Sequence, residues 1–233
     1  QEMYLQVAFG EWFLEASMRL ATIYLQTDSI ERARQHMNSV RADLSSPESI
    51  MRIYLAEGNL LGQEKYYQLA YETYSQGLLE FPKHFDLLYA RAIASDKMDR
   101  VDLFEADMRT IIEANPEHVD ALNALGYTLA DRGLKLTEAK QLIERAYALN
   151  PQDPAIIDSM GWIYFRLGNY SESEGYLRLA VDKMYDPEIV GHLIELLRAM
   201  GDIQEAETLL KQASERFPDD QYLQQLQQSS VTP

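Results

Sequence analysis

A proline that recurs at a nearly constant interval is the feature that most constrains this chain. Pro82, Pro116, Pro151 and Pro218 each follow Asn or Phe, and they are separated by 34, 35 and 67 residues, the last distance being about two intervals. Proline cannot continue a helix and often follows one, so each proline is expected to close a helical unit. The spacing therefore predicts a chain of repeats of roughly 34 residues.

Small residues recur at matching positions inside these intervals. In the first half of the intervals they are Ala21, Gly58, Ala92, Gly126 and Gly161. In the second half they are Ala33, Ala70, Ala139, Ser173 and Ala206. Between the halves, where a short turn is expected, stand Asp28, Lys65, Asp99, Gly133, Gly168 and Gly201. Because a small residue at a helix crossing lets two backbones approach, each interval predicts a pair of antiparallel helices.

One helix pair cannot bury its apolar face, so neighbouring pairs are expected to stack and share a continuous core. The predicted repeats span residues 14–47, 51–84, 85–118, 119–152, 154–187 and 187–220. Residues 1–10 resemble the end of an earlier helix, residues 221–228 are predicted to form a C-terminal capping helix, and residues 229–233 a frayed tail. No polar linker divides the sequence, which predicts a single domain over residues 1–233.

The repeated pattern resembles the tetratricopeptide repeat (TPR) family. In one repeat it consists of Leu122, Leu125-Gly126, Leu129, Ala139, Ile143, Ala146 and Pro151, and in the next of Ile157, Met160-Gly161, Tyr164, Ser173, Leu177 and Ala180. The resemblance implies an all-α superhelical solenoid of antiparallel helix pairs. The chain departs from the pattern by one extra turn residue between Gly133 and Thr137 and by Tyr185 where Pro is usual. Arg91, Phe104 and Ile111 predict less ideal packing in repeat 85–118.

Composition excludes several classes of function. The chain has no cysteine, which rules out disulfides, thiolate metal sites and cysteine nucleophiles. Its net charge of −16 argues against binding to nucleic acid or to anionic membrane surfaces. No apolar run reaches the ~18 residues of a membrane span. His84 and His118 are predicted to mark helix starts, and no metal-binding or phosphate-binding motif occurs, so we expect no metal and no cofactor.

In TPR arrays the first helices line a concave face, and the resemblance implies that partner-binding side chains lie there. The predicted site residues are Tyr89, Asn123, Tyr127, Asp158, Trp162 and Phe165. Aromatic side chains with an adaptable amide suit an extended or helical peptide. The alternative is that these aromatics only pack between repeats. A carboxylate clamp of the chaperone-binding type is rejected, because Leu55, Ala90, Asp120 and Ala124 stand where Lys or Arg would be needed.

These features predict a non-enzymatic scaffold that binds other proteins. The runs 121–133 and 153–173 are most similar to TPR lipoproteins of Gram-negative bacteria, whose LbcA-like members deliver substrates to a C-terminal processing protease. That similarity implies a periplasmic location with an outer-membrane lipid anchor encoded upstream of Gln1, although a cytoplasmic location stays open. The alternatives are a component of a pilus, secretion or polysaccharide-export assembly, and the TPR regulatory part of a larger enzyme. Oligomeric state is not predicted.

Overall fold

The computed structural model describes residues 13–27 and 29–229, and this part of the chain contains thirteen helices and no strand. The helices are α1 (Phe13–Gln26), α2 (Ile30–Ala42), α3 (Pro47–Gln63), α4 (Tyr67–Glu80), α5 (Phe85–Lys97), α6 (Val101–Ala114), α7 (Val119–Asp131), α8 (Leu136–Leu149), α9 (Pro154–Arg166), α10 (Tyr170–Lys183), α11 (Pro187–Met200), α12 (Ile203–Arg216) and α13 (Gln221–Ser229). The prediction of an all-α array of six helix pairs and a capping helix is confirmed. The predictions for residues 1–10, Asp28 and residues 230–233 lie outside the described residues.

The second helix of most pairs ends at a fixed distance from the predicted stop. Helices α4, α6, α8 and α12 each end two residues before the repeat proline, and α10 ends two residues before Tyr185. Proline also restricts the residue before it to extended conformations, which explains why the helix stops short of it. Tyr185 shows that a repeat can end at the same point without proline.

The turns inside the pairs share one left-handed residue. Lys65, Asp99, Gly133, Gly168 and Gly201 have φ values of 64°, 58°, 67°, 77° and 90°. The next amide closes the helix with a bond to a carbonyl five residues back, as in Asn169 N to Tyr164 O at 2.9 Å. The turn at residues 132–135 is one residue longer than that at 167–169, as predicted.

Side-chain caps fix several helix starts. Helix α3 begins at Pro47, four residues before the predicted repeat start, because Ser46 accepts the amide of Ser49 and Pro47 suits the first helical turn. Asp153 caps α9 in the same way, accepting the amide of Ala155 at 2.9 Å. No helix among the described residues is long and apolar enough to cross a membrane.

Helices α1–α6 belong to the first of two compact units, residues 1–114. Its fully buried large side chains include Leu20, Met37, Ile53, Leu61, Leu87, Phe104, Met108 and Ile111. Phe104 and Ile111 are thus accommodated in repeat 85–118, and Arg91 of that repeat bonds Asp107 with an N–O distance of 2.6 Å. Phe104 and Ile111 are therefore part of the core of this repeat, and Arg91 is held by an ion pair.

Helices α7–α13 form the second unit, residues 115–233. A Cβ built on Gly126 would lie 2.6 Å from Ile143 Cγ1, and one on Gly161 would lie 2.5 Å from Leu177 Cγ. Such contacts are shorter than van der Waals separation, so only glycine permits these helix crossings. Close crossings at α7–α8 and α9–α10 set the positions of α7 and α9, whose exposed faces carry the candidate site.

Candidate functional site

The first helices of the second unit bring distant parts of the sequence into hydrogen-bond contact. Helix α9 packs against both α7 and α11. Across it, the Tyr127 hydroxyl of α7 donates to Glu188 Oε1 of α11 at 2.5 Å. A contact between pairs that are not consecutive shows that the three helices share one continuous surface. This surface presents polar groups around His192.

His192 is the centre of a buried hydrogen-bonded group. Its Nδ1 lies 2.8 Å from Asp158 Oδ2 and 3.0 Å from Asp158 Oδ1, and its Nε2 lies 3.3 Å from the Tyr127 hydroxyl oxygen. His192 is 2 % exposed and Asp158 is 4 % exposed. We call Tyr127, Asp158, Glu188 and His192 the His192 cluster.

Hydrogen-bond accounting favours a charged imidazole in this cluster. Tyr127 has one hydroxyl proton, and Glu188, which accepts it at 2.5 Å, competes for it with His192 Nε2. If both imidazole nitrogens carry protons, Nδ1–H donates to Asp158 and Nε2–H donates to the Tyr127 oxygen. All three contacts are then satisfied together, which a neutral imidazole between two unprotonated carboxylates cannot achieve.

The electrostatics of the cluster agree with that accounting. Burial disfavours the charged imidazole, but the charge and hydrogen bond of Asp158, aided by Glu188 and Glu195, outweigh it and raise the pKa of His192 above 6.5. Burial, together with the nearby charge of Glu188, raises the pKa of Tyr127. The tyrosine therefore remains a neutral hydrogen-bond donor at physiological pH.

Aromatic rings form the wall beside this cluster. Trp162 stacks on the His192 ring at a centroid distance of 4.1 Å and on Phe165 at 5.0 Å. Trp162 is 4 % exposed, yet its indole N–H has no hydrogen-bond partner, and neither has the buried side-chain oxygen of Asn123. Unpaired buried polar atoms are uncommon because each costs free energy. These two are therefore candidates for groups that a ligand would satisfy.

The capping helix closes one side of a cavity of about 370 Å³. Its described lining consists of Tyr127, Asp131, Trp162, Glu188, His192, Glu195, Asp220 and Tyr222, and we call it the acidic cavity. The Tyr222 hydroxyl donates to Glu195 Oε1 at 2.5 Å. A Cβ on Gly191 would lie 2.2 Å from Tyr222 Cε1, so glycine at 191 lets α13 approach α11.

A larger cavity of about 890 Å³ lies between α10 and α12. Arg178 bonds Glu174 at 2.8 Å and reaches Glu205 on the next pair at 2.8 Å. Arg178 at this cavity is thus paired within the chain, and the buried wall residue Leu193 belongs to the core. The acidic cavity, where the carboxylates of Glu188 and Glu195 accept tyrosine hydroxyls beside the His192 cluster, is the better candidate.

Five of the six predicted site residues lie in the second unit. Tyr127, Asp158 and Trp162 come together around His192, with Phe165 stacked on Trp162 and Asn123 one turn before Tyr127 on α7. Tyr89 is half-buried on α5 of the first unit. Their role in partner binding stays a prediction, since packing also explains the burial of Trp162 and Asp158.

Six residues of the cavity lining were absent from the sequence-based set: Asp131, Glu188, His192, Glu195, Asp220 and Tyr222. The signal for His192 was its place on the predicted first helix of repeat 187–220, one turn before Glu195. The sequence interpretation assigned no site to any of the four histidines. No group of three or more potential metal ligands occurs among the described residues, and His118 caps α7 through its Nδ1 at 3.3 Å from the Ala121 amide.

Family models of the tetratricopeptide repeat match residues 105–154 and 182–229. The chain carries tetratricopeptide repeats. Proteins of this kind generally mediate protein–protein interactions. The finer resemblance to LbcA-like adaptors goes beyond what these matches show.

Two curated relatives are both longer than this chain. It is 38 % identical over 192 residues to a TPR repeat-containing protein of Pseudomonas aeruginosa, an alignment that covers 82 % of this chain and 32 % of the relative. It is 28 % identical over 101 residues to bacteriophage adsorption protein A of Escherichia coli, covering 43 % of this chain and 10 % of that protein. The chain thus spans a third or less of either relative.

Solved structures support the same fold. A thermophilic TPR protein of Thermus thermophilus matches with a TM-score of 0.69 at 24 % identity, covering 78 % of this chain and 98 % of that one. PilW, a type IV pilus biogenesis factor, matches with a TM-score of 0.67 at 16 % identity, covering 93 % and 99 %. YrrB, a TPR protein with an unusual peptide-binding site, matches with a TM-score of 0.55 at 20 % identity, covering 80 % and 91 %.

Proposed function

We propose that this chain is a non-enzymatic scaffold that binds polypeptide segments on the surface formed by α7, α9 and α11. The observation that carries the proposal is the acidic cavity, where aromatic rings and four carboxylates line an opening beside Trp162, whose indole N–H is unpaired. Binding sites concentrate affinity in a few aromatic anchors with well-placed polar groups around them. The cavity offers that combination on a fold whose members generally bind proteins.

Selection from a displayed library of random peptides tests this proposal directly. We expect selected peptides to lose affinity by at least about tenfold when Glu188, which is exposed at the cavity, is replaced by Arg. The substitution reverses a charge at the cavity and repels any basic group of a peptide bound there. Glu172→Arg, an equal charge change on exposed α10, is the matched control and should bind normally. Failure to select any peptide, or equal binding to both variants, would contradict the proposal.

At a finer level we propose that the scaffold delivers bound substrates to a C-terminal processing protease of the Gram-negative envelope. The support is the similarity of runs 121–133 and 153–173 to LbcA-like lipoproteins and the alignment with a Pseudomonas protein. A periplasmic location at the outer membrane belongs to the same proposal. The rate of substrate cleavage by the purified protease, measured with and without the chain, checks it, and an unchanged rate would contradict it.

The second candidate is a structural part of a pilus, secretion or polysaccharide-export assembly. The observation that favours it is the likeness to PilW over 93 % of this chain, although at 16 % identity that likeness concerns the fold. Deletion of the gene separates the two candidates. Loss of a delivery adaptor should leave surface pili intact and raise the level of protease substrates, whereas loss of a pilus component should remove the pili.

A further inference from the structure

The acidic cavity has a strongly one-sided charge. Four of its described lining residues are carboxylates, Asp131, Glu188, Glu195 and Asp220, and the cationic group in that lining is the His192 imidazole, which is paired with Asp158 at 2.8 Å. Arg166 contacts one of these carboxylates, its guanidinium nitrogen lying 3.9 Å from Asp131 Oδ1. Clustered charges of one sign in a cleft focus the field and attract ligands of the opposite sign. Charge alone does not make a site, however, so the other groups matter.

Two of the carboxylates are held in place and still have accepting capacity. Glu188 and Glu195 each accept one tyrosine hydroxyl, from Tyr127 and Tyr222, at 2.5 Å through a single oxygen. An ionised carboxylate offers about four lone-pair positions, so each can accept further hydrogen bonds. The tyrosines thus orient two acceptors without neutralising their charge.

The independent observation is the indole of Trp162. This side chain forms part of the cavity wall, is 4 % exposed, and has an N–H that no group of the described chain accepts. An N–H buried in that way costs free energy until an acceptor is supplied. A peptide carbonyl is such an acceptor, and a polypeptide carries one at every residue.

An arginine of the chain already lies near one of these aromatic rings. The guanidinium carbon of Arg166 lies 5.7 Å from the centre of the Trp162 ring. Guanidinium groups are planar and weakly hydrated, so they stack on rings while their N–H groups fork towards carboxylates. At about 370 Å³ the cavity is near the lower limit of ligand pockets, which start at roughly 300 Å³, and so fits one side chain better than a large ligand.

We propose that the acidic cavity binds an arginine side chain of the polypeptide partner, with the guanidinium between the Glu188 and Glu195 carboxylates and a partner carbonyl beside the Trp162 N–H. This inference rests on the proposed function and adds the chemistry of the partner: a basic segment. A site of this charge rejects peptides with acidic residues at the same position. It also makes binding dependent on salt, because opposite charges attract across solvent.

A sole-tryptophan variant gives a direct readout. The chain has two tryptophans, and Trp12 lies outside the described residues, so Trp12→Phe leaves Trp162 as the only indole. The probes are acetyl-Gly-Arg-Gly-amide and the same peptide with citrulline, which keeps the shape and loses the charge. We expect the arginine peptide to shift the indole N–H resonance of Trp162 and to bind roughly tenfold tighter than the citrulline peptide, the discrimination expected of close charge pairs.

The carboxylate variant identifies the source of that discrimination. Glu188→Gln with Glu195→Gln removes two charges but keeps acceptors for Tyr127 and Tyr222, so the site should keep its shape. The matched control is Glu172→Gln with Glu215→Gln, an equal change of net charge at exposed positions away from the cavity. We expect the first pair to bind both peptides equally and the control pair to prefer arginine as the parent does.

The outcomes separate this inference from the proposed function. If library-selected peptides bind at the cavity but arginine and citrulline bind equally, the arginine inference is wrong and the scaffold proposal stands. Loss of discrimination in the control pair would assign it to net charge and also overturn the inference. If neither the probes nor the selected peptides bind, both proposals fail.

Discussion

The two compact units use the same helix pair but fill its crossings with different chemistry. In the first unit the crossing at Gly58 is filled by Tyr74, where a Cβ on the glycine would lie 2.2 Å from the ring, and the Tyr74 hydroxyl donates to Asn59 at 2.7 Å. In the second unit the crossings at Gly126 and Gly161 are filled by aliphatic Ile143 and Leu177. The first unit therefore fills its glycine crossing with a hydrogen-bonded aromatic ring. The second fills these two crossings with aliphatic side chains, and beside one of them the Ser173 hydroxyl donates to the Gly161 carbonyl at 2.8 Å.

Ion pairs follow the same division. In the first unit Arg41 of α2 bonds Glu57 of α3 across neighbouring repeats, with both side chains less than a tenth exposed. Burial, which outweighs the attraction of Arg41, raises the pKa of Glu57. In the second unit the comparable pair between repeats, Arg178 with Glu205, has side chains that are 43 % and 51 % exposed.

The two units differ in what surrounds their buried ionisable pairs. In the first unit they join repeats, which is a structural use. In the second unit the buried pair of His192 with Asp158 also joins neighbouring repeats, α9 with α11, but His192 lines the candidate site as well. Because burying charge is costly for stability, a buried pair beside a cavity is a candidate for a functional role.

The largest effect is expected from breaking the buried pair of the first unit. Arg41→Met leaves the Glu57 carboxylate buried without its partner, which should cost about 3–5 kcal/mol of unfolding free energy. The loss should be strongest in α2, α3 and α4, measured by hydrogen exchange of each helix. Arg178→Met in the second unit breaks an exposed pair and should cost less than about 1 kcal/mol.

The double variant Arg41→Met with Glu57→Leu sharpens this result. Replacing a buried ion pair by apolar residues of similar size is often neutral or stabilising, so most of the lost stability should return. Equal losses from Arg41→Met and Arg178→Met would contradict the comparison between the units. A double variant as unstable as Arg41→Met would show that Arg41 acts through its packing over Tyr54, at 4.5 Å from the ring, and not through charge.

The two units should also respond oppositely to pH through one histidine each. Burial lowers the pKa of His36 below 6.5 despite an opposing hydrogen bond from the imidazole to the Ser17 backbone, whereas the Asp158 contact overcomes burial and raises the pKa of His192. The stabilisation from His192 is complete below pH 6.5 and is lost as pH rises through its raised pKa. That from His36 is present above pH 6.5 and is lost as pH falls through its lowered pKa.

Hydrogen exchange between pH 5.5 and 8, corrected for the intrinsic exchange rate, measures both effects. A single proton changes stability by at most about 1.4 kcal/mol per pH unit, so α9 and α11 should lose protection with rising pH and α2 should gain it. His192→Gln and His36→Gln should each abolish the trend in their own unit only. His192→Gln thus tests whether the trend in the second unit comes from His192 itself. The titratable groups around it are Tyr127, Asp158, Glu188, Glu195 and Tyr222. A trend of the same sign in both units would contradict the assignment.

The sequence predicted the fold well because its signals are local. Prolines set helix ends, small residues set crossings, and Lys65, Asp99, Gly133, Gly168 and Gly201 all lie in the predicted turns, where they adopt a left-handed conformation. Each signal acts within one repeat and is repeated along the chain. The extra turn residue near Leu134 was also predictable, because it lengthens the interval between successive prolines from 34 to 35 residues.

The candidate site was only partly predictable because its contacts are not local. Tyr127, Asp158 and Trp162 were identified from their place on the first helices. The partners Glu188 and His192 are 61 and 65 residues from Tyr127, and they meet it only through the way successive pairs stack. Tyr222 reaches Glu195 from the capping helix, whose direction no periodic pattern encodes. Such contacts depend on accumulated rotations between repeats.

The turns offer the smallest and cleanest test of the comparison, because the first unit places Lys65 where the second places Gly168. A left-handed conformation costs a non-glycine residue about 1–2 kcal/mol, while glycine loses roughly 0.5–1 kcal/mol more in entropy on folding. Lys65→Gly should therefore stabilise α3 and α4 by about 0.5–1 kcal/mol, measured by urea unfolding and by exchange of these helices. Gly168→Ala should destabilise α9 and α10 by a similar amount, and since no atom lies within 4 Å of the added Cβ, strain in the backbone is the cause. If Lys65→Gly instead lowers stability, the lysine side chain contributes a contact that offsets its strain, and the first unit then uses side-chain interactions even in its turns.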